Sequence, residues 1–412
     1  YSPFILTNFY HLIKTIGINY EITIPKFILP IGISFYTLQL ISYLIDVYRD
    51  KTILERNYFK LLLFASFFPT MIEGPICRYN DVKPQLFQNE KIDYANLKNG
   101  ILRISYGAIK KIVVADRLNM FIKYVFDNHI ELGGGVILLG AIAYTIQLYM
   151  EFSGTMDVVL GSSEIFNIKL KENFNHPFFS KSISEFWMRW HISLGTWFKD
   201  YVYYPISLSK GIKKLRKSLK SHLSNHTIMV LTSSLALFVV WTLNGLWHGP
   251  AWQYLLFGLF HFILIFSGNL FEPLILKMYK KLHINRENKT VFVMRIIKTS
   301  MFVVIGEMFF RANGDTAGLS MLAKIFTNFN FFFNHKVAKT IDLYDVGIVV
   351  VTLIIVAVIS YLKENNKDVR QMISVQKIYV RWPIYYMIIF YIIIFGAYGR
   401  GYLPVDPIYA NF

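Results

Sequence analysis

Trp241-Thr242-Leu243-Asn244-Gly245-Leu246-Trp247-His248-Gly249-Pro250 closes an apolar segment that begins near Thr227. Glycine can take the left-handed position just past a helix end, and proline cannot continue the hydrogen-bond ladder. Gly249-Pro250 therefore reads as a helix stop, with His248 on the last turn of a membrane helix. Asn244 lies one turn earlier on the same face, with Trp241 and Gly245 at helical spacing behind it. An ionisable group at membrane depth is a functional-site hypothesis by default. The pattern leaves two readings open: a catalytic histidine, or a structural one hydrogen-bonded to a neighbouring helix.

Composition sets the frame for that helix. Of 412 residues, 54% are hydrophobic, 17% aromatic and 17% charged, and the mean hydropathy is +0.40. Soluble domains average about 25% charged residues. Repeated apolar blocks of span length predict one all-α polytopic membrane domain over residues 1–412. The net charge of +17 does not point to nucleic acid, because the basic residues are spread over loops between apolar blocks. The positive-inside rule accounts for them. The single cysteine, Cys77, excludes a disulfide framework and a cysteine-based metal site, and is expected to be inert. No signal-peptide pattern follows Tyr1, and N-terminal helices are expected to be missing.

Residues 1–26 read as the tail of a membrane helix or an interfacial segment. Crossings are expected at 27–48, 101–126, 136–160, 227–248, 251–271, 299–310, 345–362 and 382–398. That makes about eight, at roughly 20 residues each. Residues 58–77 are broken by Pro69, Glu73, Gly74 and Pro75 and flanked on both sides by basic residues, which predicts a re-entrant or in-plane segment. Residues 312–344 read as polar and external. The stretch 161–226 is the longest polar one, and its lysines and arginines predict a cytoplasmic segment. Its basic run at 210–220 can also meet anionic lipid headgroups.

Within 161–226 lies a second constellation, Ser184-Glu185-Phe186-Trp187-Met188-Arg189-Trp190-His191-Ile192-Ser193-Leu194-Gly195-Thr196-Trp197-Phe198-Lys199-Asp200-Tyr201. It is too polar to span and too aromatic for a solvated loop. It reads as an amphipathic helix capped by Ser184, with Trp187 and His191 on one face and a Glu185–Arg189 pair. The bland alternative is a membrane-surface helix in which His191 is incidental. Neither histidine has metal-ligand spacing, and no nucleophile elbow, P-loop or dinucleotide fingerprint appears. Acid/base chemistry by histidine remains. A base that takes a proton from an acceptor hydroxyl as it attacks a thioester fits that need. Asn244 is placed to steady an oxyanion.

Phe186-Trp187-x-Arg189-Trp190-His191-x-Ser193-Leu194-x-x-Trp197-x-x-Asp200-Tyr201-x-Tyr203-x-Pro205, followed by Leu246-Trp247-His248-Gly249, resembles the membrane-bound O-acyltransferase (MBOAT) family. The likeness extends to Leu29-Pro30-x-Gly32-x-Ser34-Phe35-Tyr36, Ser42-Tyr43-x-x-Asp46-x-Tyr48-Arg49, Phe68-Pro69-x-x-x-x-Gly74-Pro75-Ile76-x-Arg78 and Pro407-Ile408-Tyr409-x-x-Phe412. It covers about residue 28 to the end and is nearest the bacterial alginate O-acetylase-like branch. Gly195 and Lys199 stand where the family often has serine and arginine.

The resemblance implies a helical funnel with a thin tunnel and two functional histidines, which match His248 and His191. It implies transfer of an acyl group, acetyl first, from a cytoplasmic donor (acetyl-CoA or an acyl carrier, with no bound cofactor) to a cell-surface or exported polysaccharide. A separate extracytoplasmic partner of the SGNH-hydrolase type and a multi-pass place in a bacterial inner or plasma membrane go with it. Trp247, Trp187, Arg189, Asp200 and Tyr201 are the accompanying candidates for substrate binding beside Asn244. D-alanyl transfer to teichoic acid is the sister-branch alternative. A transporter without acyl chemistry is the rival from another class, and the absence of an internal repeat weighs against it.

Overall fold

The computed structural model describes residues 30–88, 92–314, 316–399 and 401–406. The expectations for residues 1–26 and for the Pro407–Phe412 motif lie outside the described residues. Every regular element among the described residues is helical. In chain order the principal helices are α1 (Ile33–Tyr48), α2 (Tyr58–Ala65), α3 (Tyr79–Leu86), α4 (Tyr94–Ala108), α5 (Asp116–Asp127) and α6 (Gly134–Ile165). There follow α7 (Ile183–Arg189), α8 (Ile192–Phe198), α9 (Lys210–Leu219), α10 (Asn225–Trp247) and α11 (Trp252–Lys281). The last are α12 (Lys289–Arg311), α13 (Ala317–Thr327), α14 (Leu343–Glu364) and α15 (Ile378–Phe395).

Among the described residues five helices, α6, α10, α11, α14 and α15, are long and apolar enough to cross a membrane. The chain is a polytopic all-α membrane protein. The other three expected crossings fall on α1, on the α4–α5 unit and on α12. The first has only 16 residues, and the other two carry several charges. Several of the charges on the α4–α5 unit are paired within the protein. Arg103 on α4 meets Asp157 at 3.1 Å and Glu172 at 2.6 Å. Lys110 meets Asp157 at 2.7 Å. Arg117 on α5 pairs with Asp345 at the start of α14. Buried ions persist only when paired in this way.

The central pillar is α6. Of its most apolar window 78% is buried inside the protein, against 0% for α15. Helix α4 runs into α5 through a π-helical stretch, Ile109–Ala115. The wider turn releases the Ile112 carbonyl, which accepts the Ala397 N–H at 3.0 Å and ties down the chain after α15. Helices α4 and α6 touch backbone to backbone at two places seven residues apart. A Cβ on Gly107 would stand 2.4 Å from the Gly154 carbonyl oxygen, and one on Gly100 would stand 2.5 Å from that of Gly161. Small residues at helical spacing allow this approach where lipid supplies no hydrophobic drive between helices.

Of three local expectations, one holds and two change. The 58–77 segment is broken as predicted, into α2, a single turn at Phe68–Met71 and a cis Gly74–Pro75 bond. The segment read as polar after residue 312 contains α13 and exposed phenylalanines, among them Phe326, Phe329 and Phe332. The aromatic stretch from Ser184 is not one amphipathic surface helix. It is two short helices, α7 and α8, capped by Ser182 instead of Ser184, and its large side chains are core. Phe186, Trp190, Leu194 and Trp197 are all buried.

Gly154→Ala places a Cβ 2.8 Å from the Gly107 carbonyl oxygen. It is expected to cost about 1–3 kcal/mol of stability through overpacking. Gly268→Ala, with no atom within 4 Å of the new Cβ, is expected to be neutral. Thermal unfolding of the two detergent-extracted variants checks the contrast.

Candidate functional site: a cavity between two histidines

The break between α7 and α8 falls on His191. Its backbone takes the left-handed conformation, φ 46° and ψ 51°, which costs a non-glycine residue about 1 kcal/mol or more. Asn173, itself buried, holds the break in place. Its carbonyl accepts the Ile192 N–H at 2.9 Å, and its side-chain Oδ1 accepts the Ser193 N–H at 2.9 Å. The same Oδ1 lies 3.3 Å from Nδ1 of His191. An amide oxygen only accepts, so Nδ1 carries the proton and Nε2 keeps the lone pair. Burial, then the nearby His248, hold this imidazole well below its usual range, so it is neutral.

His248 ends α10, with its N–H on the carbonyls of Asn244 and Gly245 at 3.3 and 3.2 Å. Gly249 takes φ 142°, the positive backbone angle the sequence predicts for a glycine stop. The ring is packed edge-on against Trp247 (centroids 4.9 Å), Phe310 (4.9 Å) and Phe257 (6.0 Å). Trp247 also lies 5.7 Å from the His191 ring. One indole therefore stands between the two imidazoles.

Both histidines line one cavity of about 620 Å³, together with Asn244, Trp187, Trp241 and Phe310. It follows α10 back to Ser233, and this fifteen-residue interval is about 22 Å of helix. The shape is a slot. Asn244 Oδ1 is buried and meets no hydrogen-bond donor among the described residues. Of the sequence candidates, His248, His191, Asn244, Trp187 and Trp247 come together here.

Arg189, Asp200 and Tyr201 do not. Arg189 pairs with Glu185 at 3.0 Å, as its spacing predicts, and with Glu364 of α14 at 2.8 Å. Asp200 meets Arg78 at 3.5 Å. The Tyr201 hydroxyl donates to Asp46 at 2.7 Å, and the Arg78 guanidinium lies over the Tyr201 ring at 4.3 Å. These three fasten the aromatic segment to α1, the α3 region and α14. Burial pushes the Cys77 thiol up to about 12, which disfavours the thiolate form.

Sequence reasoning missed three residues at this site. Asn173 sits on an irregular strand of chain with no periodicity to mark it. His261 of α11 is fully buried behind the cavity wall, where its Nδ1 accepts the Trp187 indole N–H at 3.2 Å. Glu307 of α12 lines the cavity. An acid inside an apolar run was the available signal for it. Among the described residues no group of three or more His, Cys, Asp or Glu gathers as a metal site.

Residues 52–224 match the model of the MBOAT, membrane-bound O-acyltransferase family. The chain is 34% identical over 283 residues to the teichoic acid D-alanyltransferase of Bacillus subtilis, covering 67% of each. This chain belongs to the membrane-bound O-acyltransferase family. It is also 33% identical over 327 residues to a probable alginate O-acetylase of Azotobacter vinelandii, covering 79% of this chain and 59% of that protein. It is 30% identical over 348 residues to the peptidoglycan O-acetyltransferase of Helicobacter pylori, covering 78% of this chain and 60% of that protein. The chain thus spans about six-tenths of the length of the last two relatives.

Asn173→Leu leaves the Ser193 N–H and the His191 Nδ1–H facing a side chain that accepts nothing. The expected cost is about 1–3 kcal/mol of stability, read as a lower denaturation midpoint of the detergent-extracted protein. An unchanged midpoint would show that the His191 break is held by other contacts.

Proposed function

We propose that this chain transfers an acyl group, acetyl first, from a cytoplasmic thioester donor towards a hydroxyl of a cell-surface or exported polysaccharide, working in a bacterial inner or plasma membrane. The observation that carries the reading is the pair of buried histidines on one indole, lining a slot that follows a membrane helix. A slot suits an acyl group on a long arm better than it suits a rounded solute. In this reading Nε2 or Nδ1 of neutral His248 takes the proton of the acceptor hydroxyl. The oxygen attacks the thioester carbonyl, the C–S bond breaks, and the departing thiolate takes the proton from His248. Asn244 and Trp247 shape the site, and His191 is the second histidine beside it. The donor is acetyl-CoA or an acyl carrier protein, and neither is a resident cofactor. An SGNH-type extracytoplasmic partner completes delivery to the glycan.

The second reading, D-alanyl transfer, is favoured by the comparable identity to the Bacillus subtilis teichoic acid D-alanyltransferase. The wording Arg189-Trp190-His191-Ile192-Ser193-Leu194 and Tyr203-Tyr204-Pro205-Ile206 puts acetyl transfer first. A transporter would move an intact solute with no acyl product.

With labelled acetyl-CoA or acetyl-loaded carrier protein, His248→Ala is expected to lower transfer at least about 100-fold, the scale of a lost general base. Full acetylation by His248→Ala would sink the role given to that histidine.

A further inference from the structure

Glu307 is a carboxyl side chain in an apolar place. It is 2% exposed, and it lines the same cavity as His248, His191 and Asn244. Among the described residues no hydrogen bond or ion pair engages its carboxyl group. The counter-ion that helical spacing would offer is Arg311, one turn on. That guanidinium is turned away, over the Phe126 ring at 5.5 Å and towards Asn313 at 3.3 Å. Among the described residues Glu307 therefore has no counter-ion, and its interior position disfavours the charged form.

The packing brings this group to the cavity. Gly306, the residue before it, lies against the His261 ring, where an added Cβ would stand 2.3 Å from Nε2. Only glycine lets α12 come this close to α11. Phe310, three residues on and on the neighbouring stretch of the same helix face, packs edge-on against His248 at 4.9 Å. The carboxyl group is thus held about one helical turn from the His248 contact, inside the same space.

A buried carboxyl in a largely apolar and aromatic cavity, with no ion pair among the described residues, keeps its proton. In that form it is an O–H donor. Acyl transfer needs such a donor where negative charge develops on the thioester carbonyl oxygen. A neutral carboxylic acid in an apolar site can serve that purpose, as it does in ketosteroid isomerase. We propose that Glu307, in its neutral form, is a catalytic residue that donates a hydrogen bond to the acyl carbonyl oxygen in the cavity. This rests on the acyl-transfer reading above. The Glu307 proton is shared during the attack and not transferred. The acceptor proton goes to His248 and then to the departing thiolate, so the balance of that step is unchanged.

The test uses the full chain in detergent with acetyl-CoA or acetyl-loaded acyl carrier protein as donor and alginate or peptidoglycan oligosaccharides as the hydroxyl acceptor, read as thiol release. Glu307→Met removes the donor at similar volume and is expected to lower kcat about 100-fold with KM little changed. Glu307→Gln restores an N–H donor without a titrating proton and is expected to recover kcat to within about tenfold of the wild type. Glu307→Met turning over like the wild type, or Glu307→Gln losing as much as Glu307→Met, overturns the role. A wild type that releases no thiol from either donor overturns the acyl-transfer reading and this role with it. A second measurement stands apart from activity and from the folding of the methionine variant. The infrared difference between wild type and Glu307→Gln at neutral pH is expected to contain the carbonyl stretch of a protonated carboxyl group. Its absence overturns the proposal.

Discussion

In a chain that crosses a membrane, every backbone polar group at depth must find a partner within the protein. The same demand holds for backbone buried in protein, and it is sharpest at His191, where two short helices meet at a left-handed residue. Two backbone–backbone hydrogen bonds and one to a side chain cover the break. Asn173 accepts from Ile192 N–H through its carbonyl and from Ser193 N–H through its side chain, while Asn175 N–H donates to the Arg189 carbonyl at 2.9 Å. With those bonds in place the aromatic segment can be core instead of loop. Trp197 then donates to the Leu38 carbonyl of α1 at 2.9 Å, and Trp187 reaches His261 of α11. The cavity exists because this irregular segment is stitched on both sides.

Much of this was legible in the residues. The Gly249-Pro250 stop, the end of α10 at Trp247 and the Glu185–Arg189 pair are local features, set by backbone sterics and helical spacing. Family wording also brought His191 and His248 together before any geometry. What could not be read was long-range. The partners Asn173 and His191 are eighteen residues apart across irregular chain, and Trp187 and His261 are seventy-four apart. No periodicity links such pairs. The aromatic stretch was misread as a surface helix for the same reason: amphipathic spacing records which side chains share a face, and it does not record whether protein covers both faces.

The charge pattern was informative in a different way. Lysines and arginines in the 101–126 block look hostile to a crossing when the helix is considered alone. Paired with Asp157 on α6, Glu172 before α7 and Asp345 on α14, they become the contacts that fix α4 and α5 in the bundle. A hydropathy window cannot distinguish an unpaired charge from one whose partner lies on another helix. Among the described residues the long apolar helices are therefore fewer than the apolar blocks of the sequence, because α1 is short and the α4–α5 unit and α12 carry charges.

The same argument bears on the two histidines. A base needs a neutral ring with one lone pair directed to its task, and burial supplies the neutrality by penalising the imidazolium. For His191 the tautomer is also fixed, because the Asn173 oxygen accepts from Nδ1 and leaves Nε2 as the acceptor. That oxygen is held in turn by the Ser193 N–H, and the Asn173 amide nitrogen lies 3.4 Å from the Met156 sulfur of α6. The protonation pattern of His191 is thus set by the central pillar of the fold, through a residue that no motif marks. Fold and protonation meet at Asn173: the hydrogen bonds that hold the break between two buried helices also decide which nitrogen of His191 carries the proton.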